Sequence, residues 1–225
     1  RYFEGVVDNV KGDGYGRIRM FGPTKTIGFE GAALIKNAQM TVTTLKTNYY
    51  FTDTIRLTQK TIELRGIEFT DSERNRGTLN GIVHHNGLFA KMNYTVDIAA
   101  RNLLGMDTHA RDNSYFYGKA YITGNVKITG NDDECNITVN GTTQPKSRGF
   151  IQMGGASTAS DNNFIRFENP RETTVTTPKV IDKNRFNTKV ELNIDVTPDA
   201  DMQLIVDPKA GDVISGRGHG SLRVQ

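Results

Sequence analysis

The sequence alternates apolar and polar residues over stretches of strand length, and this alternation limits the possible folds more than any other feature. In residues 189–196 every second residue is apolar, and the residues between them are Lys, Glu, Asn and Asp. The apolar members are Val190, Leu192, Ile194 and Val196. Because successive side chains of a β-strand point to opposite faces, this stretch predicts a strand with one apolar and one polar face.

The same period of two recurs along most of the chain. Further apolar positions that share a predicted face are Ala120, Ile122, Val126 and Ile128; Ile151 and Met153; Ile165 and Phe167; and Met202, Leu204 and Val206. The composition agrees, because 58 residues are β-branched (15 Val, 17 Ile and 26 Thr), whereas Leu and Ala together number 23. Short turn sequences such as Asn140-Gly141 favour antiparallel hairpins. We therefore predict an all-β fold of roughly fifteen strands.

The alternation changes phase at Gly66. Ile62 and Leu64 lie at even positions, whereas Ile67 and Phe69, just after the glycine, lie at odd positions. One extra residue in a strand shifts its side chains to the opposite face, and glycine is often found where this happens. We therefore predict a β-bulge at Gly66 that keeps all four side chains on the apolar face.

An apolar face that persists along the whole chain must be hidden from water. An open sheet rarely exceeds ~10 strands without curling, splitting or closing. We expect one long, mostly antiparallel sheet curled into a U-shaped (taco-like) trough with an apolar interior, and a filled sandwich is the alternative. Residues 1–225 are interpreted as a single elongated β-domain. Because residues 222–225 continue the strand pattern, we expect the sequence to be a fragment of a longer chain.

Charge and cysteine content exclude several partner classes. The net charge is +3, and the Lys and Arg residues are spread along the chain without a basic run, so we expect no nucleic-acid partner. Cys135 is the single cysteine, so neither an internal disulfide nor a cysteine-based zinc site is expected. No apolar stretch approaches the ~18–20 residues of a membrane-spanning helix.

No pattern typical of catalysis or of metal binding stands out. His84 and His85 are adjacent on a predicted strand, so they point to opposite faces and cannot bind one metal ion together. Residues 131–134 resemble a calcium loop only in charge, and we interpret them as a solvated hairpin turn. No serine or cysteine nucleophile has a recognisable partner. We therefore predict that the protein is not an enzyme and has no cofactor or metal.

Three segments of the second half resemble a known family. They are residues 117–128 (YGKAYITGNVKI), residues 196–214 (VTPDADMQLIVDPKAGDVI) and residues 216–222 (GRGHGSL). They are similar to the C-terminal domain of the TamB family, the translocation and assembly module proteins, in its Bacteroidetes form within the AsmA-like superfamily. The resemblance is most specific over residues 115–225.

The resemblance implies the periplasmic portion of an inner-membrane-anchored protein. Its β-trough would carry phospholipid acyl chains between membranes, support outer-membrane protein assembly and secretion, or do both. The implied partner is an Omp85-type outer-membrane barrel, with docking expected outside this fragment. The predicted lipid-groove lining comprises Ala120, Ile122, Val126, Ile128, Ile151, Met153, Ile165, Phe167, Val190, Leu192, Ile194, Val196, Met202, Leu204 and Val206.

Two other classes of function fit an all-β chain. A structural or adhesive β-domain would have a filled core and would act through its surface. A carbohydrate-binding β-domain would present aromatic platforms, and the absence of Trp argues against it. Within the resembled family, exposed sheet edges could instead template outer-membrane strands by β-augmentation.

Overall fold

All regular secondary structure that we describe is β-strand. The computed structural model describes residues 7–23, 27–86, 91–114, 116–152, 187–207, 212–217 and 220–224. Within them are thirteen strands: β1 (Val7–Phe21), β2 (Gly28–Val42), β3 (Thr47–Leu57), β4 (Thr61–Asp71), β5 (Arg76–His84), β6 (Asn93–Thr108), β7 (Phe116–Asn131), β8 (Glu134–Thr143), β9 (Arg148–Gln152), β10 (Asn187–Val196), β11 (Asp201–Asp207), β12 (Asp212–Gly216) and β13 (Gly220–Val224). They belong to one sheet, which confirms the predicted all-β class.

Most of the sheet is an antiparallel meander. Strands β1 to β7 each pair with the next strand along the chain. We call the end of the sheet where β4 begins the lower end, and the opposite end the upper end. Strand β7 spans both, because β8 pairs with its lower half and β9 with its upper half.

The sheet is mostly antiparallel, as predicted, and two of its pairings are parallel. Strand β10 runs parallel to β8, and β11 runs parallel to β9. Strand β9 ends at the upper end with Gln152, and β10 starts at the lower end with Asn187. A connection of that length permits parallel pairing, which a short hairpin turn does not.

The predicted bulge at Gly66 is confirmed. The ladder between β4 and β5 shifts between Leu64 and Ile67, and Gly66 has a φ of 61°. This left-handed conformation is easily adopted by glycine and disfavoured for residues with a Cβ. The Asn80 side chain fixes the bulge, because its Oδ1 accepts a hydrogen bond of 2.8 Å from the Gly66 N–H.

An interruption crosses the sheet between its lower and upper parts, and we call this line the crease. Strand β6 has register shifts between Ala100 and Met106, and residues 144–147 and 197–200 separate β8 from β9 and β10 from β11. Side-chain hydroxyl groups accept hydrogen bonds from backbone N–H groups there. The Tyr121 N–H donates to Ser147 Oγ at 3.0 Å, and the Thr197 N–H donates to Thr143 Oγ1 at 2.9 Å. The crease is therefore hydrogen-bonded, although β6 is irregular there and the chain is not a strand between β8 and β9 or between β10 and β11.

The hairpin of β4 and β5 ends at the crease, and β6 continues past its tip. Above that tip, β6 comes close to β3 and to the turn before it. The Tyr49 hydroxyl donates a hydrogen bond of 3.0 Å to the Leu104 carbonyl, and the Asp107 N–H donates one of 2.9 Å to the Leu45 carbonyl. Apart from these contacts of β6 with β3 and β4, the substantial contacts between described strands join paired neighbours. The described strands thus form one open sheet.

Candidate functional site: the apolar face of the sheet

Strand register aligns the apolar side chains into rows across the sheet. Residues paired directly across neighbouring strands project from the same face, so consecutive pairs define a row. The lower aliphatic row is Leu64, Gly81, Val96, Ile128, Ile137 and Val190. The upper aliphatic row, one step nearer the crease, is Ile67, Leu79, Ile98, Val126, Val139 and Leu192. Neither row contains a polar side chain.

Most members of these two rows are only half-buried. Ile67 is buried, at 3% exposed, whereas the other side chains of both rows are of intermediate exposure. All six strands belong to one sheet, and these side chains keep part of their surface exposed. The two rows therefore form a continuous apolar surface that is open to an additional apolar component.

A border row lies on each side of the aliphatic rows. The upper border row, at the crease, is Phe51, Phe69, Gly77, Ala100, Gly124, Gly141 and Ile194. The lower border row is Leu57, Ile62, Val83, Tyr94, Gly130, Cys135 and Thr188. These rows combine large side chains with glycines, so their large members can lie flat across a neighbouring strand.

The opposite face of the same strands is polar. Its rows alternate with the apolar rows, and one of them consists of Asn80, Asp97, Lys127, Thr138 and Glu191. A second polar row includes Asn140 and Asn193, whose side-chain amides are hydrogen-bonded at 3.0 Å. The sheet thus separates its polar and apolar side chains, as the alternation of the sequence predicts.

The predicted groove residues on described strands project from this apolar face. Val126 and Leu192 belong to the upper aliphatic row, Ile128 and Val190 to the lower aliphatic row, and Ile194 to the upper border row. The other placed residues lie on the same face nearer the upper end, and they are Ala120, Ile122, Ile151, Val196, Met202 and Leu204. Met153, Ile165 and Phe167 lie outside the described residues, as does the side chain of Val206.

The predicted groove residues omit a large part of the same face. Strands β4 to β6 contribute half of each aliphatic row, including Leu79, Val96 and Ile98. Apolar and polar residues alternate in these strands as regularly as in the later strands, and this alternation is the sequence signal that identifies their apolar side chains.

A polar cavity of about 280 Å³ lies at the lower end of the sheet. It is lined by His84, Asn93, Tyr94, Thr95, Thr129, Gly130, Asn131, Glu134 and Asn136. Asn131 belongs to the predicted hairpin turn, where its Oδ1 accepts the Asp133 N–H at 2.8 Å. The described residues contain no group of three or more metal-ligating His, Cys, Asp or Glu side chains. Nor do they include a helix with the length and apolar character needed to cross a membrane.

Comparison with known proteins gives one match. A family model, the TamB C-terminal domain, matches residues 65–225. This range covers more than half of the chain and begins fifty residues before the resemblance recognised in the sequence. No curated protein and no solved structure matches the chain significantly.

Proposed function

Because the chain belongs to the TamB C-terminal domain family, a family of envelope biogenesis and transport, we propose that its apolar face carries phospholipid acyl chains between membranes. The sheet would curl into a trough with this face inside, and the headgroups would stay in water at the open side. The family is non-enzymatic. The chain would act as the periplasmic portion of an inner-membrane-anchored protein, with an Omp85-type barrel as its partner.

The observation that carries this proposal is the pair of aliphatic rows. They combine residues from six strands without one polar side chain, and most of them remain partly exposed. Transfer of hydrocarbon from water onto such a surface is favourable by about 0.8 kcal/mol for each fully buried CH₂ group. The interaction is non-directional, so no single lining residue needs to be essential.

The same rows favour hydrocarbon over an extended polypeptide. A peptide segment carries one N–H donor and one C=O acceptor for each residue, and each requires a hydrogen-bonding partner when buried. The aliphatic rows provide no side-chain partner, so a peptide laid along them would leave buried polar groups unpaired, at a cost of roughly 1–3 kcal/mol each. An acyl chain has no such groups.

A role in outer-membrane protein assembly is the second candidate function, and strand β1 favours it. This strand pairs only with β2 among the described strands, and its residues are exposed along nearly its whole length. Val10 and Met20 are 73% and 64% exposed. A long exposed edge strand can add a further strand through its free backbone groups. In this role the edge, rather than the apolar face, would receive the client.

Lipid extraction from matched variants tests the first proposal. Val126 and Asn125 are neighbours on β7 that project from the apolar and the polar face, respectively. We would purify the chain with Val126→Arg or Asn125→Arg and measure the bound phospholipid by mass spectrometry. The proposal predicts that Val126→Arg loses most of the bound lipid while it remains folded, and that Asn125→Arg retains it. Equal lipid in both folded variants would contradict an acyl-chain site on the apolar face.

A further inference from the structure

The upper border row is closed by an aromatic cluster. The Phe69 ring lies across Gly77 on the next strand, where any Cβ would collide with it. The Tyr49 ring packs edge-on against Phe69 with their centroids 5.6 Å apart. Phe69, Ala100 and Leu103 are 8%, 6% and 7% exposed, so this part of the apolar face is already covered by its own side chains.

On β6 to β8, the lower border row is also covered by its own side chains. The Tyr94 ring lies across Gly130 of the neighbouring strand, again where a Cβ would collide with it. Tyr94 and Cys135 are 9% and 7% exposed. Burial, and then a hydrogen bond with the Cys135 thiol, raise the pKa of the Tyr94 phenol, so its hydroxyl stays neutral. One aromatic-on-glycine contact thus lies above the aliphatic rows, on β4 and β5, and the other lies below them, on β6 and β7.

The surface between these borders is two rows wide. Alternate residues of a strand are about 6.8 Å apart, which is the spacing between the lower and upper aliphatic rows. Hydrocarbon chains pack with about 4 Å between carbon atoms, so each row has room for one chain. Six neighbouring strands extend each row over roughly 24 Å. That length exceeds the roughly 15 Å that one leaflet of a bilayer gives to its acyl chains.

On the basis of the proposed function, we propose that the two aliphatic rows hold the two chains of a diacyl lipid side by side, one chain along each row. The stabilisation of a bound chain scales with the exposed apolar area that it covers. A third chain over Phe69 or Tyr94 would cover little exposed area, because both side chains are more than nine-tenths buried.

Site-specific photocrosslinking tests this arrangement. A photoreactive phenylalanine analogue would replace, one at a time, Val126, Ile128, Phe69, Tyr94 and, on the polar face, Lys127. The folded proteins would be irradiated with vesicles of phosphatidylethanolamine that carries two 16-carbon chains. We expect crosslinks at Val126 and Ile128 at least fivefold above those at the other three positions. Both border positions replace one aromatic ring by another, which limits disturbance of the fold.

Each other outcome overturns a distinct claim. Crosslinking at Phe69 or Tyr94 equal to that at Val126 would refute the claim that lipid does not cover these two buried side chains. Crosslinking at only one of Val126 and Ile128 would refute the two-chain arrangement. No crosslink at any position of the folded proteins would refute the proposed function itself. Native mass spectrometry would count the bound chains. It should show one bound diacyl lipid for each protein, but two bound molecules of single-chain lysophosphatidylethanolamine. Saturation by one lysolipid would contradict the proposal.

Discussion

Replacement of Asp71 by Asn should destabilise the sheet through one buried carboxylate. Asp71 is 2% exposed and ends β4 at the crease. Its Oδ1 accepts the Glu73 and Asn75 N–H groups at 2.8 and 3.0 Å. Its Oδ2 accepts the Asn75 side-chain amide at 2.8 Å and the Leu104 N–H at 2.7 Å. One carboxylate thus closes the hairpin turn and joins it to β6.

The magnitude follows from the two hydrogen bonds to Oδ2. In Asp71→Asn this position becomes an NH₂ group, so donors would face the donors of Asn75 and Leu104. Leu104 is 1% exposed, and water cannot easily replace the lost acceptor. A buried unpaired donor costs about 1–3 kcal/mol, and a hydrogen bond to a charged group contributes about 1.5–3 kcal/mol, so we expect a loss of about 3 kcal/mol.

Thermal and urea unfolding followed by circular dichroism would measure this loss. For a chain of this size, 1 kcal/mol corresponds to about 2–4 °C in Tm, so Asp71→Asn should lower Tm by about 9 °C. The matched control is Asp112→Asn, because Asp112 also accepts a turn N–H, from His109 at 2.9 Å, but is exposed. A loss below 1 kcal/mol, or one equal to that of the control, would refute the role assigned to Asp71.

Three further changes have defined outcomes. Gly66→Ala should cost about 1 kcal/mol in urea unfolding, because Gly66 has a φ of 61°, and an unchanged midpoint would contradict the left-handed bulge. Burial lowers the pKa of His85, so its contribution to the free energy of unfolding is present above its unfolded pKa, about 6.5, and is lost as the pH falls through its folded pKa. In His85→Gln the free energy of unfolding should therefore fall less steeply as the pH is lowered below about 6.5. An unchanged dependence on pH would contradict this. Leu192→Ile should retain bound phospholipid in extracts whereas Leu192→Arg should lose it, and equal retention by the two folded variants would count against the apolar site.

The faces of the sheet could be predicted from the sequence because they depend on local alternation. Val126 and Leu192 are 66 positions apart, yet each shows its orientation from its immediate neighbours. The register then brings them into one row through Val139. The bulge at Gly66 was predictable for the same reason, since the change of phase is visible within eight residues. Side-chain orientation is therefore encoded locally in this chain.

Strand partners could not be predicted in this way. The parallel pairing of β8 with β10 joins segments that are far apart in the sequence, and no local pattern specifies that choice. The border contacts were equally hidden, because Phe69 and Gly77 become neighbours only once the register of β4 and β5 is known. Glycine inside a strand indicates a close approach, but it does not name the ring that approaches.

The same carboxylate that stabilises the crease should also position the upper border. Asp71 and Phe69 are two residues apart on β4, so their side chains project from one face. Asp71 holds the hairpin tip against the Leu104 backbone, and this keeps the Phe69 ring over Gly77 and next to Leu103. In a folded Asp71→Asn variant, a photoreactive analogue at position 69 should therefore crosslink to phosphatidylethanolamine more than in the parent chain. If the crosslinking stays at the parent level while Tm falls, the border is held by aromatic packing alone, and Asp71 contributes only to stability.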